Sequence, residues 1–317
     1  MANISFFSYK GGSGRTTTTL NTLYYLIREA RPDSEHPFII IDADNESYGL
    51  SMLLLKEHDY PAVKSLQGLG LNAKQDTFVR KGPPSDWQSY PDLGNFFIPV
   101  GNYFTKDIED EAVLLLRSDV TPEDQQRMLN NVFTMNDGGQ VNSNLKKAVD
   151  IMSECDCTVV FDTPSGTQDM ATFALNNSDT IVCCMRPSVQ FERGTRQCFQ
   201  KLISRWGQKR SEKKIIFCPS AVPFRKMEID GNLYPGHYVS SVFSRFKAEL
   251  DAKARDTNGA VEIVWGMQEG DFPGIPEVDR FKWQECCLAK INSDKEDERK
   301  AKERYSKLAQ LINLCNG

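Results

Sequence analysis

The sequence predicts an α/β protein whose core is a doubly wound, mostly parallel sheet flanked by helices. Three observations carry that expectation. Short, continuous apolar runs recur along the chain, each followed by a spacer long enough for a helix, which is the pattern of strands buried on both faces. A glycine-rich stretch joins the first such run to a helical pattern. Acidic residues stand where two of the runs end, at the edge of an open α/β sheet where ligands bind.

Taken in order, Ile4 to Phe7 is the first strand and Ser8 to Gly14 the glycine-rich loop. Leu20, Leu23, Tyr24 and Ile27 then fall at helical spacing and predict an amphipathic helix to about Glu29. Pro32 to Pro37 is a polar turn. Phe38 to Ile41 is a second strand, closed by Asp42-Ala-Asp44-Asn45-Glu46. Phe96 to Val100 reads as a short strand, and Cys157 to Phe161 as another that ends in Asp162-Thr-Pro-Ser-Gly166. Thr180 to Met185 and Lys214 to Cys218 follow, each with a proline just beyond, and Val261 to Trp265 is the last. The long polar spacers at about 57–95 and 102–150 read as surface insertions on a single domain covering 1–317. The second of them contains a helix from Thr121 to Phe133, opened by Thr-Pro-Glu-Asp. A terminal helix at about 294–314, with Tyr305, Leu308, Leu311 and Ile312 at helical spacing, is expected to pack on the domain.

Composition narrows the class. Of 317 residues, 40% are hydrophobic and 26% charged, ordinary values for a globular protein with a substantial core. No apolar run approaches the ~18 residues of a membrane span, and no basic-then-apolar leader precedes the first strand. Nine cysteines, an odd number, predict reduced thiols and a cytoplasmic protein. A net charge of −5 argues against generic coating of nucleic acid. The densest basic stretch runs from Arg193 to Lys214. It is either a solvated helix surface or a face for nonspecific DNA contact.

The loop is the most informative segment. Glycines at 11, 12 and 14 let backbone N–H groups close around a phosphate, and the helix behind them adds its positive end. A purely structural turn is the alternative. The strict pattern G-x-x-x-x-G-K-[ST] fails at two places, because Tyr9 stands for its first glycine and Arg15 for its lysine. A second cation, Lys10, precedes the glycine pair.

Lys10-Gly-Gly-Ser-Gly-Arg-Thr-Thr17 resembles the deviant Walker A loop of the ParA/MinD family of ATPases, in its arginine-bearing form. Asp42-Ala-Asp44 resembles the family's D-x-D element, and Phe161-Asp162-Thr-Pro164 its Walker B segment. The segment from Gly270 to Lys282, with Pro273 and Pro276, looks like the stretch that lies against adenine. The resemblance implies a P-loop NTPase that binds ATP and Mg²⁺. Gly11, Gly12, Ser13, Gly14, Arg15, Thr16 and Thr17 would hold the phosphates, with Pro273 and Pro276 beside the base. Thr16, Asp42 and Asp162 would serve the metal, and Asp44 would orient the attacking water. Without a ligand, the two aspartates after the second strand would simply cap its end. Lys10 would reach the partner's nucleotide across a sandwich homodimer, or else stand as a solvated lysine beside the loop.

Arg15 is planar and bidentate where a lysine is a compact point charge. Phosphate binding survives that exchange; the placement of charge in the transition state need not, which leaves room for slow hydrolysis. Cys218-Pro-Ser220 stands where the family often carries a purine-contacting asparagine, so adenine selectivity is left open. The function implied is an ATP-hydrolysing dimerisation switch that controls a partner protein. A DNA-riding positioning ATPase using 193–214 and a nucleotide-locked assembly module that hardly turns over are the alternatives.

Overall fold

The computed structural model describes residues 3–44, 47, 49–55, 64–83, 85–118, 137–225, 227–229, 231–234, 236–268 and 273–316. Its strands are β1 (Asn3–Phe7), β2 (Phe38–Asp42), β3 (Ile98–Pro99), β4 (Val113–Leu116), β5 (Thr158–Asp162), β6 (Thr180–Met185), β7 (Lys213–Pro219), β8 (Met227–Ile229), β9 (Asn232–Tyr234) and β10 (Val261–Val264). Helices longer than one turn are α1 (Arg15–Ala30), α2 (Gly49–Leu54), α3 (Leu66–Asn72), α4 (Asp137–Glu154), α5 (Asp169–Asn176), α6 (Val189–Lys209), α7 (Gly236–Arg255) and α8 (Glu296–Asn316). Eight strands form one mostly parallel sheet in the order β10-β7-β6-β1-β5-β2-β4-β3, with β8 and β9 making a separate hairpin. The doubly wound α/β architecture read from the apolar runs is the one observed.

The chain forms two compact units. The first comprises Met1–Ile4, Ile27–Pro164 and Thr172–Asn177. Here β5, β2 and β4 run parallel and β3 joins β4 antiparallel. Phe38 to Asp42, Val113 to Leu116 and Thr158 to Asp162 are buried throughout, which is why these strands read as continuous apolar runs rather than alternating ones. Helix α4 packs along α3, where the Asn144 amide donates to the Gly70 carbonyl at 3.0 Å and the Ala73 carbonyl at 3.3 Å.

Three expectations need correction in this unit. The stretch 102–150 is not wholly a surface insertion, because it supplies β4. Its Val-Leu-Leu-Leu run is short and follows the charged Glu109-Asp-Glu111, so the surrounding polarity hid a strand that pairs in parallel with β2. The stretch 57–95 likewise contributes core: Leu66, Leu69, Trp87 and Leu93 are buried, and Trp87 meets Phe97 edge to face at 5.4 Å. The strand expected at 96–100 shrinks to Ile98–Pro99, as proline donates nothing to a ladder and suits an edge. The expected helix from Thr121 to Phe133 lies outside the described residues.

The second unit comprises Ser5–Leu26, Ser165–Ala171 and Ser178–Gly317. Strands β6, β7 and β10 are parallel neighbours. Phe199, Phe217, Phe246 and Trp265 stack or meet edge to face at 4.9–5.9 Å and knit α6, β7 and α7 into one aromatic core. Helix α8 buries Tyr305, Leu308 and Ile312. Among the described residues, no helix is long and apolar enough to cross a membrane.

Candidate functional site

The glycine loop lies in the second unit, between the buried end of β1 and the first turn of α1. Gly12 and Gly14 have φ of 76° and 74°, left-handed values that side chains rarely adopt. Gly11 is under no such demand, since a Cβ there would meet only the Ser165 Oγ at 3.9 Å. The Gly14 carbonyl accepts from the Thr18 amide at 2.9 Å and starts the helix, while the first helical N–H groups have no partner within it. The Gly166 amide donates to the Ser8 carbonyl at 2.9 Å and ties the loop to the segment after β5. Ser13, Arg15 and Thr17 are buried, and Thr16 is half-buried. The Arg15 Nη2 lies 3.4 Å from the Thr16 Oγ1.

The two residues just before the glycines are anchored to α6. The Lys10 Nζ donates to the Gln190 Oε1 at 2.7 Å and sits 5.9 Å from the Phe191 ring centroid, still exposed. The Tyr9 ring lies on Gly194, where a Cβ would come within 2.1 Å of Cε1. Pro273 and Pro276 flank a stretch that runs beside the end of β7. The Ile275 amide donates to the Pro219 carbonyl at 2.8 Å, and the Val222 amide to the Ile275 carbonyl at 3.0 Å. Gly274, with φ of 86°, is the residue that allows this approach: a Cβ would be 2.3 Å from the Pro219 oxygen.

Behind the loop, Asn21 makes a clamp that sequence reasoning missed. Its Nδ2 donates to the Thr17 carbonyl at 2.9 Å and to the Cys286 carbonyl at 3.1 Å, and its Oδ1 accepts from the Leu288 amide at 2.7 Å. The only signal was a polar residue within an otherwise apolar helical stripe.

The acidic strand ends lie in the first unit. Asp42 and Asp162 are register partners on β2 and β5, and both are fully buried. The Asp42 Oδ2 accepts from the Ser51 amide at 2.8 Å and the Ser51 hydroxyl at 2.6 Å, and its Oδ1 accepts from the Asp44 amide at 3.2 Å. Burial, reinforced by the neighbouring Asp162 carboxylate, outweighs those hydrogen bonds and pushes Asp42 up to about 7. Asp44 turns onto Ser47, accepting from its amide at 3.2 Å and its hydroxyl at 2.7 Å. Among the described residues, no three His, Cys, Asp or Glu side chains form a metal cluster.

Several cations of the 193–214 stretch are already engaged. Arg196 pairs with Glu192 and Glu249, Lys213 reaches the Ser178 carbonyl, and Lys214 the Cys315 carbonyl. Lys201 and Arg205 line a polar groove of about 870 Å³ together with Lys253.

No protein-family model and no curated protein matches the chain. Solved structures do. MinD of Pyrococcus horikoshii OT3, complexed with Mg-ADP, superposes with a TM-score of 0.59 at 15% identity, over 99% of this chain and 97% of that one. A McdA variant of Cyanothece in complex with ATP gives 0.58 at 15% identity, over 99% and 96%. A ParA family ATPase of Chlorobium tepidum TLS gives 0.54 at 13% identity, over 98% of each chain. The fold is that of the ParA/MinD-like P-loop ATPases. At such identities the likeness is one of fold. In this chain the glycine loop follows the first strand, and the paired aspartates end β2 and β5.

Proposed function

We propose that this chain is a single-domain, cytoplasmic Mg-ATP-dependent dimerisation switch with the deviant Walker A loop, acting on a partner protein. The observation that carries the reading is the loop itself. Gly12 and Gly14 hold left-handed conformations at the head of a sixteen-residue helix, the backbone shape of a phosphate cradle with a positive helix end behind it. The ATP and Mg-ADP bound by the McdA and MinD structures of the same fold support the choice of ligand.

In this reading the loop amides and Arg15 bind the β- and γ-phosphates, with Ser13 in the loop wall and Thr17 at the α-phosphate. Pro273 and Pro276 stand beside the base. A bound Mg²⁺ would supply charge neutralisation at the phosphates and would need few protein donors. The Thr16 hydroxyl, Asp42 and Asp162 would suit that modest demand, and a bound cation would offset part of the burial and like charge that together raise Asp42. Asp44 orients the attacking water. Lys10, exposed and held by one neutral hydrogen bond to Gln190, is placed to exchange that contact for a partner's phosphate. Such a cation in trans has the role of an arginine finger, credited with about 10³–10⁵ in rate.

The burial of Arg15 favours one second reading, a nucleotide-locked module that scarcely turns over. A guanidinium already fixed among protein groups has less freedom to follow charge as it develops. The DNA-riding reading is weakened by the internal pairing of Arg196, Lys213 and Lys214.

Sizing the protein with ADP, ATP and a nonhydrolysable analogue, with phosphate release recorded alongside, separates the readings. A dimer seen only with ATP and lost on turnover supports the switch. Stable ATP-loaded oligomers without phosphate release support the locked module. Lys10→Ala should lose dimerisation and hydrolysis together while each monomer still binds ATP, and unchanged dimerisation removes Lys10 from the partner's site. Asp44→Ala should bind ATP and trap the dimer; ordinary turnover in that variant rules out its role with water.

A further inference from the structure

We infer that Glu285 reads the ribose, its carboxylate accepting hydrogen bonds from the 2′- and 3′-hydroxyls of the nucleotide whose phosphates occupy the glycine loop. This rests on the nucleotide-binding reading proposed above and assigns a specificity-determining residue within it.

The argument begins with Asn21. A buried primary amide is costly unless its donors and acceptor are filled. Asn21 is 1% exposed, and all its capacity on the far side of Thr17 is taken by the backbone of residues 286 and 288. Cys287 and Leu288 are buried beneath the same segment. The chain is therefore pinned to the second turn of α1 from a position 265 residues away in sequence. That pin holds Glu285, itself exposed, with its Oε1 3.4 Å from the Thr17 Oγ1.

The position decides the chemistry. Along the loop, Arg15, Thr16 and Thr17 follow the phosphates from γ to α, so the group just past Thr17 meets what is attached to the α-phosphate. A carboxylate only accepts hydrogen bonds, and an ionised phosphate only accepts them as well. Glu285 facing phosphate would be pure repulsion. Facing a ribose, it meets two adjacent hydroxyl donors, the same logic by which an acidic residue recognises the ribose in dinucleotide-binding folds. Its exposure leaves the carboxylate open to ligand, and the Asn21 clamp fixes the backbone from which it projects.

The test is titration calorimetry of the full chain with ATP, 2′-deoxy-ATP and 3′-deoxy-ATP, for the wild type, Glu285→Gln and Glu285→Ala. A charge-assisted hydrogen bond corresponds to about 10- to 100-fold in affinity. The wild type should prefer ATP over each deoxy form by a factor in that range. In Glu285→Ala the affinity for ATP should fall to that for the deoxy forms, so the preference disappears, and Glu285→Gln should retain part of it. Thermal unfolding of the variants should match the wild type. Discrimination that persists in Glu285→Ala overturns the inference, as does tighter binding of all three nucleotides, which would mean that the carboxylate merely repels phosphate. Failure of the folded wild type to bind any of the three overturns the nucleotide reading beneath it.

Discussion

Asp42 and Asp162 show how one buried pair sets the electrostatics of a strand end. Their register places two carboxylates side by side where neither reaches water, and Asp42 holds its proton up to about pH 7 instead of 3.8. Below about pH 4 the folded and unfolded chains are both protonated at this residue. As pH climbs from there toward 7, the unfolded chain loses the proton that the folded chain keeps, so stability falls across that window. In magnesium-free buffer with a chelator, Asp42→Asn should therefore gain stability relative to the wild type steadily between pH 4 and 7, whatever constant offset the amide adds. Melting temperatures taken across that range measure the slope, and a pH-independent difference would show that Asp42 does not titrate there. The identities of Asp42, Asp44 and Asp162 were legible as acidic residues at strand ends. Their partners Ser51 and Ser47 were not, because serines in a polar stretch carry no signal until the loop closes on the carboxylate.

At the scale of elements, the loop and α6 are fitted to each other. Glycine inside a long helix normally costs about 0.5–1 kcal/mol relative to alanine, and α6 carries one at 194 because the Tyr9 ring occupies the space. Gly194→Ala should thus destabilise the protein by about 1–3 kcal/mol, the usual scale of overpacking, despite the better helix propensity. Adding Tyr9→Ala should recover that loss, and a denaturation double-mutant cycle reads the coupling directly. Equal destabilisation by Gly194→Ala in both backgrounds would break the assigned contact. Read from sequence, Tyr9 was only a departure from a motif. Its explanation lies in a helix far along the chain. Strand β4 makes the converse point: four apolar residues within a charged stretch are too short a run to declare themselves, and only pairing with β2 defines them.

Over the whole molecule, the nine cysteines are all free, and eight of them are buried. Burial holds the Cys183 and Cys218 thiols well above their ordinary range and also raises Cys286, the single half-exposed one. Thiolate is the reactive form, so mass spectrometry after alkylation of the native protein at pH 8 should find at most one slowly modified site, at Cys286. Its rate should climb as pH passes 9, and denaturant should expose all nine. Rapid native labelling at Cys183 or Cys218 would contradict the packing of β6 and β7.

The sequence by itself determined the class of sheet, the conformation of the loop and the chemical identity of the residues at the strand ends. Those features are written in local patterns, since apolar runs, helical spacing and glycine's tolerance of positive φ each act within a few residues. Tertiary structure alone decided that Asp42 faces Asp162, that Tyr9 rests on Gly194, and that Asn21 holds Glu285 beside Thr17. These are pairings between distant positions. They arise only when burial and strand register bring the chain together, because no residue carries the identity of its partner in its own neighbourhood.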